Sequence, residues 1–165
     1  LGYKSGLTYS QTSSKRAYKW SFIGTPHKSS RHDMNFQLEN IKPNFVNRTD
    51  KFADKNKSLS VDDMEKVYVN TNFAPCPAGF FHPESYRIYE ALQCGAIPIV
   101  ESVYNYFDSI YPNNPMIKIK RWEEAKEIVD TWSEERILEK RKECAKWWNN
   151  YLFDHKNFIL QKIKG

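Results

Sequence analysis

The stretch Ser85-Tyr-Arg-Ile-Tyr-Glu-Ala-Leu-Gln-Cys-Gly-Ala-Ile-Pro-Ile-Val-Glu101 changes its hydrophobic period halfway along, and that change decides the fold class. Ile88, Ala91 and Leu92 recur at helical spacing behind Ser85, a residue suited to cap a helix start, and Gly95 is suited to the left-handed backbone that ends one. Ala96 to Val100 then forms a continuous apolar run, as in a strand covered on both faces. A helix delivered straight into a fully buried strand is the second half of a parallel crossover unit.

The flanking sequence repeats the alternation. Upstream, Phe73 to Cys76 reads as a short strand and Ala78 to Glu84 as a loop. Ser60 caps a helix, with Asp63 three residues on completing a capping-box variant before Met64, Val67 and Tyr68. Further back, Tyr18 to Ile23 predicts a strand stopped by Gly24-Thr25-Pro26, then a helix starting near Ser29-Ser30 that carries Met34, Phe36 and Leu38, then a strand over 45–52. Downstream, Met116 to Ile119 is another short strand, and Trp122, Ala125, Ile128, Val129 and Trp132 mark one helix face. From Ser133, residues Ile137, Leu138, Cys144, Ala145, Trp148, Tyr151 and Leu152 keep the helical period. Strands alternating with helices predict an α/β domain: a parallel sheet with helices on both faces, wound right-handed, followed by C-terminal helices.

At 165 residues and 19.6 kDa the chain is the size of one domain and buries roughly two-thirds of its unfolded surface. With 40% hydrophobic and 27% charged residues, 6 glycines and 8 prolines, it matches neither a disordered nor a fibrous composition. The net charge is +5, but Lys4, Lys15, Arg16, Lys19, Lys28 and Arg31 precede the first acid, so residues 1–31 carry +6 and the remainder carries −1. Three cysteines at wide spacing, Cys76, Cys94 and Cys144, fit buried thiols better than a disulfide framework or a zinc site. Asn47-Arg-Thr49 and Asn56-Lys-Ser58 are glycosylation sequons that do not settle a compartment. The start at Leu1 and the polar run to Ser14 read as those of an excised piece, and no segment approaches the roughly eighteen apolar residues of a membrane helix.

In an open parallel sheet, ligands bind beyond the carboxyl ends of strands, where helix N-termini present unpaired amides. Two segments have that form. Trp20-Ser-Phe-Ile-Gly24-Thr-Pro-His-Lys-Ser-Ser-Arg31 is strand, glycine turn and polar loop, with Lys28 and Arg31 beside hydroxyls; it reads either as a solvated basic loop or as a diphosphate site. In Pro75 to Glu101, Arg87 and Glu90 lie three apart on one helix face near its N-terminal end. They form either a surface ion pair or a ligand set, with Glu90 accepting ribose hydroxyls and Arg87 facing phosphate. His27, His32, His82 and His155 have no partners at metal spacing; among them His82, in the glycine loop, is the candidate for ligand contact. Asp62-Asp63 fits the first turn of a helix, and Trp147-Trp148 fit core packing rather than sugar stacking.

The run Ser85 to Glu101, preceded by Pro77-Ala-Gly79 and by Ser60-Val-Asp-Asp-Met, resembles the C-terminal lobe of exostosin-like glycosyltransferases. Leu1-Gly-Tyr-Lys-Ser-Gly6 is similar to that family's interlobe linker, and Trp20 to Gly24 with Arg31 to its first strand and phosphate loop. The resemblance covers roughly residues 1–130. It implies residues 1–17 as an interlobe linker and 18–165 as the Rossmann-like, donor-binding lobe of a two-lobed (GT-B type) enzyme. That enzyme moves a sugar from a UDP-sugar to a hydroxyl of a glycan or glycoprotein acceptor, with inversion. The implied donor site comprises Gly24, Lys28, Arg31, Gly79, Ser85, Arg87 and Glu90. Related two-lobed transferases often carry a second glutamate eight residues before the ribose-binding one; here His82 holds that position, with Glu84 nearby, as possible donor-sugar contacts.

The resemblance further implies no cofactor or metal, in keeping with the absence of an Asp-x-Asp triplet. It implies a catalytic base in an N-terminal lobe outside this chain, and a Golgi lumenal or membrane-associated setting in a eukaryote, cytoplasmic in a bacterium or virus. No nucleic-acid partner and no membrane contact by this segment are expected. Two other classes remain open: a basic nucleic-acid-binding module built on the lead with Tyr3, Tyr9, Tyr18 and Trp20, and a non-catalytic interaction domain that has lost its donor site.

Overall fold

Strand β3 (Thr71–Cys76) is buried at all six positions, so it must lie at the centre of the sheet with both faces covered. The computed structural model, which describes residues 15–51, 54–79, 81–102 and 104–164, places it there. The described elements run β1 (Tyr18–Gly24), α1 (Arg31–Leu38), β2 (Asn44–Arg48), α2 (Val61–Val69), β3, α3 (Tyr86–Gln93), β4 (Ile97–Glu101), α4 (Tyr106–Ile110), β5 (Ile117–Ile119), α5 (Trp122–Thr131) and α6 (Glu134–Lys164). The sheet order is β2-β1-β3-β4-β5, and every pairing is parallel. Helices α1 and α5 pack together on one face, while α2 and α3 cover the other with α6 laid against α3. This is the expected Rossmann-like α/β architecture with a C-terminal helical segment.

The local signals that predicted these elements operate as expected. Ser60 Oγ accepts from the Asp63 amide at 3.1 Å and donates to the Asp63 carboxylate at 2.7 Å, capping the start of α2. Gly95 sits at φ +69; its amide reaches Leu92 O and the Ala96 amide reaches Ala91 O, the paired bonds of a Schellman stop that turns α3 directly into β4. The largest core side chains, Trp20, Trp122, Trp148, Tyr68, Phe22 and Phe73, fill both sides of the sheet.

The structure departs from the sequence reading at several points. The second strand ends at Arg48 rather than 52, and Phe52 lies outside the described residues. Phe36 is 67% exposed, because the buried face of α1 is carried by Arg31, Met34, Asn35 and Leu38. The short helix α4 was not anticipated, and Trp132 follows the last turn of α5 yet still packs edge-on against Phe73 at 5.8 Å. Of the proposed linker, residues 1–14 lie outside the described residues, while the position of Arg16 shows a role that the sequence reading did not give it. It is buried, with Nη1 donating to Tyr68 O at 2.8 Å and Thr71 O at 2.7 Å, and Nη2 donating to Cys94 O at 3.1 Å. Its guanidinium thus serves the C-terminal ends of α2 and α3 together, where carbonyls lack helical partners and the dipole is negative.

All three cysteines are free and buried. Burial pushes the Cys94 and Cys144 thiols up to about 12 and raises Cys76 as well. The folded protein is therefore expected to resist a thiol-labelling reagent at pH 8 and to label at three positions only after denaturation. A rapidly reacting thiol in the native state would contradict this. No helix among the described residues is long and apolar enough to cross a membrane.

Candidate functional site

The chain leaves β1 toward β2 on one side and returns to β3 on the other, so the connections after β1 and β3 depart to opposite faces and leave a crevice beyond the strand ends. A cavity of about 1160 Å³ occupies that place. It is lined by the end of β1, the loop before α2, the loop between β3 and α3, the first turns of α3, and two residues of α6. Its volume suits a ligand larger than a single sugar.

Two guanidinium groups define its inner end. Arg31, the first residue of α1, is 4% exposed, with Nη1 donating to Thr25 O at 2.9 Å and Nη2 to Ala78 O at 3.2 Å. It therefore ties the loop after β1 to the loop after β3 across the switch point. Arg87, in the first turn of α3, turns toward β1: Nε donates to Ile23 O at 2.8 Å, and the guanidinium lies over the Phe22 ring, 4.6 Å from its centroid. Burial and the neighbouring Arg87 charge lower Arg31 to about 10, so Arg31 stays cationic at neutral pH. Two like charges held side by side with fixed donors are complementary to an anion with several oxygens, such as a diphosphate.

Gly24 contributes by absence. Its φ is +141, and a β-carbon there would collide with the Arg87 guanidinium. The sequence reading gave Gly24 to phosphate; in the structure it makes room for the Arg87 side chain. Gly79 is equally constrained, since a β-carbon would stand 2.5 Å from Glu84 O, within the same tight loop. Ser85 is the N-cap residue of α3 with extended backbone, but its side chain makes no capping bond, and Oγ is buried without a hydrogen-bond partner among the described residues. Glu101, at the end of β4, accepts from Ser30 Oγ and from the Ala78 amide at 3.4 Å, holding the α1 start against the β3–α3 loop.

The remaining expected residues divide. Glu90 is 8% exposed and lines the cavity wall one turn after Arg87. His82 is exposed on the rim and lines it too. Glu84 lines the cavity, but its Oε1 accepts from the hydroxyls of Tyr89, at 2.6 Å, and Tyr111, and the carboxylate also bonds Tyr106. Burial and this carboxylate push the Tyr89 and Tyr111 phenols up, so they remain donors. The side chain expected as a possible sugar contact also clasps the β3–α3 loop to α3 and the α4 end. Lys28 is exposed in its turn and does not line the cavity.

Sequence reasoning missed two walls. The loop after β2 supplies Asp54, Lys55 and Ser58, with Asp54 accepting from the Asn56 amide at 3.1 Å and the Asp50 amide at 3.3 Å, which lower its pKa. Helix α6 supplies Tyr151 and His155, stacked at 5.9 Å, with Trp147 stacked on Tyr151 at 5.2 Å. The spacing 147, 151, 155 was legible as one helix face; that this face reaches the cavity depends on how α6 docks on α3, through Trp148 Nε1 to Gln93 Oε1 at 3.0 Å.

Fold and crevice together define a Rossmann-like α/β domain whose candidate site is the cleft at its switch point. The family described as RXYLT1 C-terminal domain matches residues 4–165, and the chain belongs to it. Curated relatives include ribitol-5-phosphate xylosyltransferase 1 of Mus musculus, 26% identical over 83% of this chain and 35% of that protein. The Homo sapiens protein of the same name is 25% identical over 87% of this chain and 37% of its own length. That of Danio rerio is 25% identical over 82% and 35%. The chain spans about a third of the length of the curated relatives it matches. These relatives are by name pentosyltransferases, so the expected kinship with glycosyltransferases holds at that level.

Proposed function

We propose that this domain is the donor-binding lobe of a glycosyltransferase and that its cleft holds a UDP-sugar, with a pentose as the sugar class that the relatives' names favour. The observation that carries the reading is the pair of Arg31 and Arg87 guanidiniums beside the α3 N-terminus, with Glu90 on the same cavity wall. In this reading Glu90 accepts the ribose hydroxyls. Arg87, Arg31 and the first-turn amides of α3 receive the diphosphate. Transfer forms a bond from an acceptor hydroxyl oxygen to the anomeric carbon and breaks the bond from that carbon to the diphosphate. UDP leaves with the electron pair and the acceptor proton passes to a base.

The two guanidiniums and the helix terminus stabilise charge gathering on the leaving group, the role a divalent cation fills elsewhere, which favours a metal-independent reaction. The base belongs to the remainder of the enzyme and takes the acceptor's proton as the acceptor oxygen attacks the anomeric carbon from the face opposite the diphosphate, which gives inversion. The acceptor is a glycan hydroxyl; the relatives' names point to one carried on ribitol phosphate. A Golgi lumenal setting accords with this chemistry. Against a nucleic-acid module stands the burial of Arg16 and Arg31, which removes two of the six N-terminal cations from the surface.

Calorimetry on the isolated domain is expected to show UDP binding without appreciable turnover of a UDP-sugar. Folded protein that takes up no UDP at millimolar concentration would overturn the reading.

A further inference from the structure

The fold places the asparagines of the two glycosylation sequons in opposite settings. Asn47 lies within β2, level with Ile23 of β1, and its side-chain oxygen is buried. Thr49, which completes that sequon, is buried too, its hydroxyl 3.2 Å from that of Thr25. Asn56 sits instead in the turn of residues 55–57, and Asn56, Lys57 and Ser58 are all exposed. Asp54 builds this turn from beneath. It is buried, its carboxylate accepts from the Asn56 amide at 3.1 Å and the Asp50 amide at 3.3 Å, and its carbonyl accepts from the Ser58 amide at 2.8 Å and the Lys57 amide at 3.3 Å. Lys57 adds an ion pair to Asp50 at 2.8 Å. None of these bonds uses the side chain of Asn56 or Ser58, so a firmly held turn presents both groups of the sequon to solvent. An N-linked oligosaccharide is bulky and hydrophilic, and a folded protein can carry one only where the asparagine faces outward.

We propose that Asn56 is an N-glycan attachment site of this domain and that Asn47 is not one. The proposal rests on the lumenal setting inferred above, because the co-reactant, an oligosaccharide carried on a lipid diphosphate, is supplied in a secretory lumen. The Asn56 amide nitrogen forms a bond to the anomeric carbon of that oligosaccharide, and the bond from this carbon to the diphosphate breaks. The lipid diphosphate leaves with the electron pair, and the amide proton passes to a base of the transferring enzyme. Lys55 and Ser58 line the cavity on either side of Asn56, so the glycan stands at the outer edge of the wall between β2 and α2. A residue that carries a glycan cannot lie in an interface, so this edge stays open to solvent in the whole enzyme.

The test directs the full chain into the secretory pathway of a eukaryotic cell with a cleavable signal sequence and takes folded protein from the medium, so that passage through the lumen is assured. The expected result is a single mobility step on treatment with peptide N-glycosidase, lost entirely in Asn56→Gln, whose Tm matches that of the deglycosylated parent. Enzymatic release in heavy-oxygen water should label Asn56 and leave Asn47 unlabelled. Secreted protein without a glycan, a step that persists in Asn56→Gln, or label at Asn47 would each overturn the assignment. The lumenal reading is tested separately, by protease treatment of sealed vesicles from cells that make the native protein. Digestion without detergent would overturn that setting and with it the natural glycan, whereas protected protein with a bare Asn56 would overturn the site alone.

Discussion

Replacing Arg16 with alanine is expected to lower the unfolding free energy by about 3 kcal/mol, because three buried carbonyls lose their charged donor at once. Two opposing terms keep the figure from being larger. The guanidinium is already costly to bury, and the nearby Arg141 charge adds to burial in lowering its pKa to about 9. The carbonyls of Tyr68, Thr71 and Cys94 come from three segments, so their loss is not local: the end of α2, the start of β3 and the end of α3 would all loosen. Lysine should recover less than half, since one ammonium cannot reproduce the fork. Urea unfolding of the three proteins measures this, and a loss below about 1 kcal/mol for alanine would reject the structural role of the lead.

For the site, Arg87→Ala is expected to weaken UDP by about 100-fold while uridine changes by less than about threefold, the split required of a side chain that meets phosphate and not nucleoside. Gly24→Ala should reproduce most of this loss without touching the arginine, since its new methyl occupies the guanidinium's place and its φ of +141 resists any side chain. Titration of both variants with both ligands decides the matter. Equal losses for UDP and uridine would reject the phosphate assignment, and a Gly24→Ala protein of full affinity would show that Arg87 does not need its seat on β1.

What could be read in the sequence and what could not follow a physical division. Ser60, Gly95 and the run Ile97 to Val100 act through their own neighbours, so the cap, the stop and the buried strand were visible in a dozen residues. Arg31, Arg87, Glu90 and Gly79, which the structure sets around one cavity, stood out because helix starts and glycine loops after strands mark where ligands bind in such sheets. Their partners were not found, since Ala78 O, Ile23 O and the Phe22 ring are tertiary neighbours. Glu84 looked like a free carboxylate until three tyrosines, two of them from beyond β4, closed on it. Arg16 carried no local mark at all, because its carbonyls lie 52, 55 and 78 residues away.

The strand order also governs how the chain can become this structure. The central strand is third in sequence, and its two neighbours, β1 and β4, come from opposite sides of it along the chain. Within this domain, residues 18–48 by themselves amount to a two-stranded parallel pair with a single crossover, too little to persist alone. Each later pairing must close a loop of many residues before any contact rewards it, which places the domain among slow folders. The seam between β1 and β3, where the two halves of the sheet join, is also the seam at which the cleft opens. A small molecule that settles there would bridge the two sides of that seam and slow their separation.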